Sequence, residues 1–372
     1  MNCNNKVCNF CLIDEEYDTY IKEKDLSLSK LYKGYPYKGI IKNIKPYNYR
    51  HKVIASFKRS KDKVVCGLYQ ENSHDLIVKD NCLLQHEIAN QIIVTVTRLA
   101  NKYKMTVFSE KSGYGLLRHL VIRVSKYNND VLLTIVTNKD EFIGKNNFIK
   151  QLVNKHPNIK SVVINQNPRQ TSVVLGDKEI VSYGSGYIID ELDEFKFRIS
   201  SKSFYQVNPY QTEILYRKAI ELADIKDTDI VIDAYSGIGT ISLFASKYAK
   251  EVIGVEINSS SIKDAITNAK YNQVTNVKFI NQDASKYMVD YKGTIDVLIV
   301  DPTRSGLDKI FISAINKLKP KKIVYISCNP ETQIRDIKQL KSLYSVKNAY
   351  GVDMFSFTKH IESVVSLTLN KK

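Results

Sequence analysis

The run Ile230-Val231-Ile232-Asp233-Ala234-Tyr235-Ser236-Gly237-Ile238-Gly239-Thr240 decides the fold. Four residues that read as a buried strand enter a turn with two glycines, and a helical stretch, 238–249, follows. Glycine lets a backbone turn tightly and approach a ligand with no Cβ in the way. Strand, Gly-x-Gly and helix in that order put the ligand at the carboxyl edge of a sheet. A dinucleotide fingerprint wants a third glycine three residues on; Ser242 stands there, which disfavours NAD.

Outward from this run the rhythm continues. Short apolar strands are predicted at 251–256, 277–280, 295–300 and 322–327, with helices at 210–224, 259–272, 307–318 and 330–342. That alternation indicates a parallel, doubly wound α/β sheet. The last two strands, 345–352 and 362–369, have no helix between them and read as an antiparallel hairpin at the sheet edge. Glu256 closes the second strand, where its carboxylate can accept hydrogen bonds from both hydroxyls of a ribose. Asp283, just past the third strand, is placed to meet an adenine amino group.

Upstream, residues 31–200 read as a smaller α+β domain. Strands at 52–57, 64–69, 120–124, 131–136 and 161–165 are rich in Val, Ile and Tyr, and helices are expected near 83–103 and 144–155. Residues 1–30 form a cysteine-bearing head with a charged tail. The reading is therefore three parts: 1–30, 31–200 and 201–372.

A chain of 372 residues is long enough for two or more cores. It has no run of 18 apolar residues and no signal-peptide core at its start, so we expect no membrane span and a cytoplasmic protein. Its net charge of +16 suits a phosphate backbone, although a composition rich in Lys, Asn, Ile and Tyr explains part of it. Nothing in the sequence calls for an obligate protein partner.

Cys328 follows the strand 322–327 and precedes Asn329-Pro330, so it reaches the same sheet edge as the glycine turn. A helix starting just behind it favours the thiolate. Taken alone, a cysteine at a strand end is more often a small buried hydrophobe. Its neighbours argue otherwise. Asp301 ends the adjacent strand, Pro302 stiffens the loop, and Arg304 could hold a phosphate or orient a carboxylate. Glu362 opens the final strand within reach of the same edge; its bland reading is a solvated strand-end carboxylate.

Phe204-Tyr205-Gln206-Val207-Asn208, Asp233 to Gly239, Asp301 to Leu307, Ser327-Cys328-Asn329-Pro330 and His360-Ile361-Glu362 follow one another in order. This series resembles the motifs of RNA uracil-5-methyltransferases and spans 201–372. Gly67-Leu68-Tyr69 to Cys82 and Gly115-Leu116-Leu117-Arg118-His119 resemble that family's central domain. The resemblance implies a Rossmann-like, seven-stranded methyltransferase domain that uses S-adenosylmethionine, preceded by an RNA-binding domain.

It further implies that Cys328 adds to uracil C6 and Glu362 removes the C5 proton. Asp301 would contact the base or the cofactor, and Gln206, Tyr235, Gly237, Glu256 and Asp283 would line the cofactor pocket. The target base must be flipped or already unpaired. Thr303 stands where the family usually has Pro, and Tyr205 and Tyr235 where Phe is frequent. Only residues 1–30 precede the central domain, so the family's small RNA-binding β-barrel (the TRAM domain) is expected to be absent.

Cys3, Cys8 and Cys11, with Cys82 downstream, resemble the four-cysteine iron–sulfur site of the ribosomal-RNA members. Four thiolates suit a 4Fe–4S cluster, and tetrahedral zinc would accept them too. Cys66 is left over and expected to be buried. Because the tRNA-acting relatives generally lack these cysteines, the resemblance points to 23S rRNA. Tyr49, Arg50, Lys52, Arg118, His119 and Arg123 are candidates for holding phosphates and stacking on bases, against ordinary surface charge and sheet packing. The competing readings are the same chemistry on tRNA, a non-catalytic iron–sulfur RNA-binding protein, and a nicotinamide-dependent reductase.

Overall fold

The computed structural model describes Cys11, residues 15–69 and residues 75–371. Among the described residues the chain opens with a helix, α1 (Tyr17–Leu31), that covers the end of the head, and a short strand, β1 (Tyr37–Ile41). A seven-stranded sheet follows, with order β4-β3-β2-β5-β6-β7-β8. Its elements are β2 (Lys52–Ser60), β3 (Lys63–Tyr69), β4 (Leu76–Ile77), α2 (Glu87–Lys102), β5 (Leu117–Val124), β6 (Val131–Thr137), α3 (Lys145–Lys155), β7 (Ile159–Gln166) and β8 (Lys178–Tyr183). Only β6 and β7 pair in parallel, because α3 provides the crossover between them. Helix α2 buries Ala89, Ile92, Val96 and Leu99, spaced three and four apart, against this sheet. Cys66 lies in that core, buried as expected.

A hairpin, β9 (Tyr187–Leu192) and β10 (Phe195–Ser200), leads into the second layer. The remaining elements are α4 (Pro209–Ala223), β11 (Ile230–Ala234), α5 (Thr240–Ser246), β12 (Glu251–Glu256), α6 (Ser259–Tyr271), β13 (Val277–Asn281), α7 (Ala284–Asp290), β14 (Val297–Val300), α8 (Lys309–Leu318), β15 (Lys322–Ser327), α9 (Pro330–Leu340), β16 (Tyr344–Val352) and β17 (Glu362–Leu369). Strands β11 to β15 pair in parallel; β17 runs antiparallel between β15 and β16.

Seven strands of this sheet come from the C-terminal domain, as expected, but the sheet has eight. Strand β1 pairs in parallel with β16 and takes the edge expected for the final hairpin. The reason is visible in α1. Its Leu28 packs with Tyr32 into the core beneath β15 and β16, and Lys24 forms a buried 2.8 Å ion pair with Asp353. The charged tail of the head is thus an amphipathic helix docked on the C-terminal sheet. The β9–β10 hairpin is also held there. Asn268 and Asn272, one turn apart on α6, accept the backbone amides of Arg198 and Lys196, both at 2.8 Å. Among the described residues, no helix is long and apolar enough to cross a membrane.

Candidate active site

The glycine turn joins β11 to α5 as the sequence requires. Tyr235 takes φ of +70°, a left-handed conformation that costs a non-glycine residue about 1–3 kcal/mol. Its ring rests on Phe311, with centroids 5.7 Å apart. Gly239 has φ of +81°, and a Cβ there would lie 2.6 Å from the ring of Phe279. At the end of β12, Glu256 accepts the Gly237 amide at 3.1 Å through one oxygen and the Asn258 amide at 2.7 Å through the other. These two bonds fix its carboxylate and leave lone pairs facing outward. Asp233, fully buried beneath the turn, accepts the Ser242 hydroxyl at 2.5 Å, while its other oxygen has no partner. Burial, with the charge of Asp301, pushes its carboxyl up to about 7 despite that hydroxyl.

A cavity of about 550 Å³ opens beside this turn, within the range of small-molecule sites. Gln206, Tyr235, Gly237, Glu256, Asp301, Cys328 and Glu362 all line it. Asp283 does not. It caps α7 by accepting the Lys286 amide at 3.0 Å, and it acts on Tyr235 only through its charge. Tyr216, Phe355 and Lys52 also line the cavity. Tyr216 and Phe355 carry no motif signal and are found only once α4 and the β16–β17 loop fold over the sheet edge.

At one end, strand order brings two acids and a thiol together. Asp301 follows β14, Cys328 follows the adjacent β15, and Glu362 opens β17, which pairs with β15. Burial pushes the Asp301 carboxyl up to about 7. Glu362, 3 % exposed, is held well above the usual carboxylate range by burial and then by the charge of Asp301, with Arg304 opposing. No hydrogen bond to either carboxylate is found among the described residues. The Cys328 thiol is pushed up by burial, then by Glu362 and Asp301, and pulled down by the charge and hydrogen bond of Arg304. Arg304 also donates to Nδ1 of His360 at 2.9 Å, which ties the loop after β14 to the segment before Glu362.

A family model described as tRNA (Uracil-5-)-methyltransferase matches residues 16–371. The chain belongs to the tRNA (uracil-5-)-methyltransferase family. A protein of Oceanobacillus iheyensis named as an uncharacterized RNA methyltransferase is 43% identical over 329 residues, covering 87% of this chain and 72% of the relative. One of the same description from Caldanaerobacter subterraneus is 42% identical over 94% of this chain and 78% of its own length. The tRNA (uracil-54, C5)-methyltransferase of Pyrococcus abyssi, solved with S-adenosyl-L-homocysteine, matches with a TM-score of 0.81 at 28% identity, over 96% of this chain and 85% of that one. The chain is thus an S-adenosylmethionine-dependent RNA uracil-5-methyltransferase with the Rossmann-like fold of its family.

The uracil-5-methyltransferase places the six central-domain candidates unevenly. Arg118 and Arg123 are buried, each 4 % exposed. Arg118 donates to the carbonyls of Asn167 (2.7 Å), Arg169 and Thr171 (2.9 Å). Arg123 donates to the carbonyls of Ser201 and Ser203. Tyr49 is buried and donates to the Ser356 carbonyl, His119 pairs with the Ser56 hydroxyl, and Arg50 lies over the Tyr49 ring. Arg118, Arg123, Tyr49 and His119 serve the architecture; Lys52 alone of the six lines the cavity.

Of the cysteine head, Cys3 and Cys8 lie outside the described residues. Cys11 and Cys82 pack on one small cluster formed by Tyr20, Ile21, Tyr49, Leu84 and Phe357. Among the described residues, no group of three or more His, Cys, Asp or Glu side chains is arranged to hold a metal ion.

Proposed function

We propose that this enzyme methylates C5 of a uridine in 23S rRNA, with Cys328 as nucleophile and Glu362 as base. The observation that carries the reading is the convergence of Cys328, Glu362, Asp301 and Arg304 on the cavity that also holds the glycine turn and Glu256. S-adenosylmethionine, when bound, supplies a methyl group on a sulfonium; Gln206, Tyr235, Gly237, Glu256 and Asp301 would hold it. Uracil C5 is too weak a nucleophile to take that methyl unaided.

The Cys328 thiolate, stabilised by Arg304, adds to C6 and makes C5 enolate-like. C5 then takes the methyl group and becomes tetrahedral. Glu362 removes the C5 proton, the C5–C6 double bond reforms, and the Cys328 sulfur leaves C6. A carboxyl with a raised pKa is suited to this proton transfer because its conjugate base is strong. Burial, with the charge of Asp301, keeps that pKa high, and Asp301 would contact the base or the cofactor. The central domain (31–200) would hold the RNA, and the head (1–30) would carry the metal site, in a cytoplasmic enzyme.

The preference for ribosomal RNA rests on the four-cysteine pattern. Cys3, Cys8 and Cys11 with Cys82 would ligate a 4Fe–4S cluster that ties the head to the central domain, with zinc as the alternative ion. The shared packing of Cys11 and Cys82 is in keeping with it. Methyl transfer exchanges no electrons, so the cluster's role is architectural. Protein purified without oxygen is expected to hold about four irons and four sulfides per chain, and C82A to hold fewer.

The second reading, the same chemistry on tRNA, is favoured by the likeness to the Pyrococcus abyssi enzyme. Mapping 5-methyluridine by mass spectrometry in 23S rRNA and tRNA, with and without this protein, decides between them. Loss from tRNA alone would overturn the ribosomal assignment.

A further inference from the structure

Strand β2 opens at Lys52, whose cross-strand partner on β5 is Arg123. Like charges directly opposite on neighbouring strands are destabilising. Arg123 is compensated, since two carbonyls accept from its guanidinium and the charge of Asp264 offsets its own. Lys52 is not. Among the described residues its ammonium has no ion-pair or hydrogen-bond partner, and burial together with Arg123 lowers it to about 8.

The other cations of the cavity are engaged: Lys202 donates to the Asp177 carbonyl at 2.7 Å and Arg304 to His360. Lys52 and Leu192 are what residues 31–200 contribute to the lining. The segment that Arg123 anchors, Ser201 to Ser203, continues into Phe204, which lines the same cavity yet is 62 % exposed. An unpaired ammonium and an exposed aromatic ring lining one cavity form a pattern that suits a nucleotide, phosphate on one and base on the other.

We propose that the Lys52 ammonium binds a backbone phosphate of the RNA next to the target uridine, and so docks the strand over Cys328. The inference rests on the reading of this cavity as the uridine pocket. A half-buried cation that lacks a counter-ion gains more from a phosphate than a solvated lysine does, because part of its desolvation has already occurred before binding. The phosphate also relieves the repulsion between Lys52 and Arg123.

The test compares wild type, K52M and K52R for binding a short fluorescein-labelled oligouridylate across a salt series, and for binding S-adenosylhomocysteine by calorimetry. K52M is expected to bind the RNA about tenfold more weakly at low salt, with a salt slope shallower by about 1. K52R is expected to restore the slope, and both variants to bind S-adenosylhomocysteine as wild type does. An unchanged slope in K52M overturns the proposal. So does weakened S-adenosylhomocysteine binding with RNA binding intact, which would assign Lys52 to the carboxylate of the cofactor. K52M relieves a like-charge contact and is expected to unfold at no lower temperature; K52Q replaces it should it not fold. Absence of any methyl transfer to RNA by the wild-type protein would sink the parent reading and leave the Lys52 measurements standing.

Discussion

Asp336 and Glu362 are both buried carboxylates at the same end of the C-terminal sheet, and they are treated in opposite ways. Asp336 accepts the Leu307 amide at 2.8 Å, the Tyr325 hydroxyl at 2.7 Å and Arg335 Nε at 2.8 Å. Glu362 has no such donors and faces another acid, Asp301. The central sheet repeats the first pattern with cations, since Arg118 and Arg123 are wrapped in backbone carbonyls. A buried charge whose bonding capacity is filled acts as a structural clamp. One left short of partners, in a cavity, is available for chemistry.

The largest effect that could break this contrast is at the sulfur. C328A is expected to lower methyl transfer at least ~10³-fold, measured as labelled methyl entering RNA, with the unfolding temperature unchanged. Next is the base. E362Q is expected to slow turnover ~10²–10⁴-fold while letting the Cys328–RNA adduct accumulate, seen as a slow band on a denaturing gel. A variant that turns over normally with no trapped band would remove Glu362 from the role.

The pH profile sharpens the comparison further. As the proposed base Glu362 must lose its proton to act, and burial with the charge of Asp301 raises its pKa, so kcat/KM should climb as pH rises toward the raised carboxyl range. Each pH unit on that limb is worth about tenfold. In D301N the like charge is gone, the Glu362 pKa falls, and the limb should move to lower pH. A limb that stays in place would show that Asp301 does not set the Glu362 proton. The smallest effect on chemistry belongs to the clamp. R118M leaves three carbonyls without their donor and should cost about 3 kcal/mol of stability, read from urea unfolding. Below its unfolding temperature, kcat/KM should stay within about twofold of wild type.

Much of this site was legible before the chain folded. The turn from Asp233 to Gly239, Cys328 after its strand and Glu362 at the head of the last one all mark strand ends. In a parallel sheet strand ends converge on one edge, whatever the loops do. The central basic residues failed for a related reason. Arg118 and Arg123 sit inside β5, and nothing local says whether an arginine in a strand faces solvent or neighbouring carbonyls. Asp283 also follows a strand, where a carboxylate can equally cap the next helix, and here it accepts the Lys286 amide.

Composition, strand–helix period and the ordered motifs therefore determined the doubly wound sheet, the glycine turn and the place of Cys328 at its carboxyl edge. Tertiary structure alone decided that α1 and β1 dock on the C-terminal sheet, that Lys52 is the central-domain cation in the cavity, and that Glu362 and Asp301 come together at one cavity. Local pattern fixes what each segment buries. Which charges end up facing one another depends on how distant strands pair, and a chain read one residue at a time does not contain those distances.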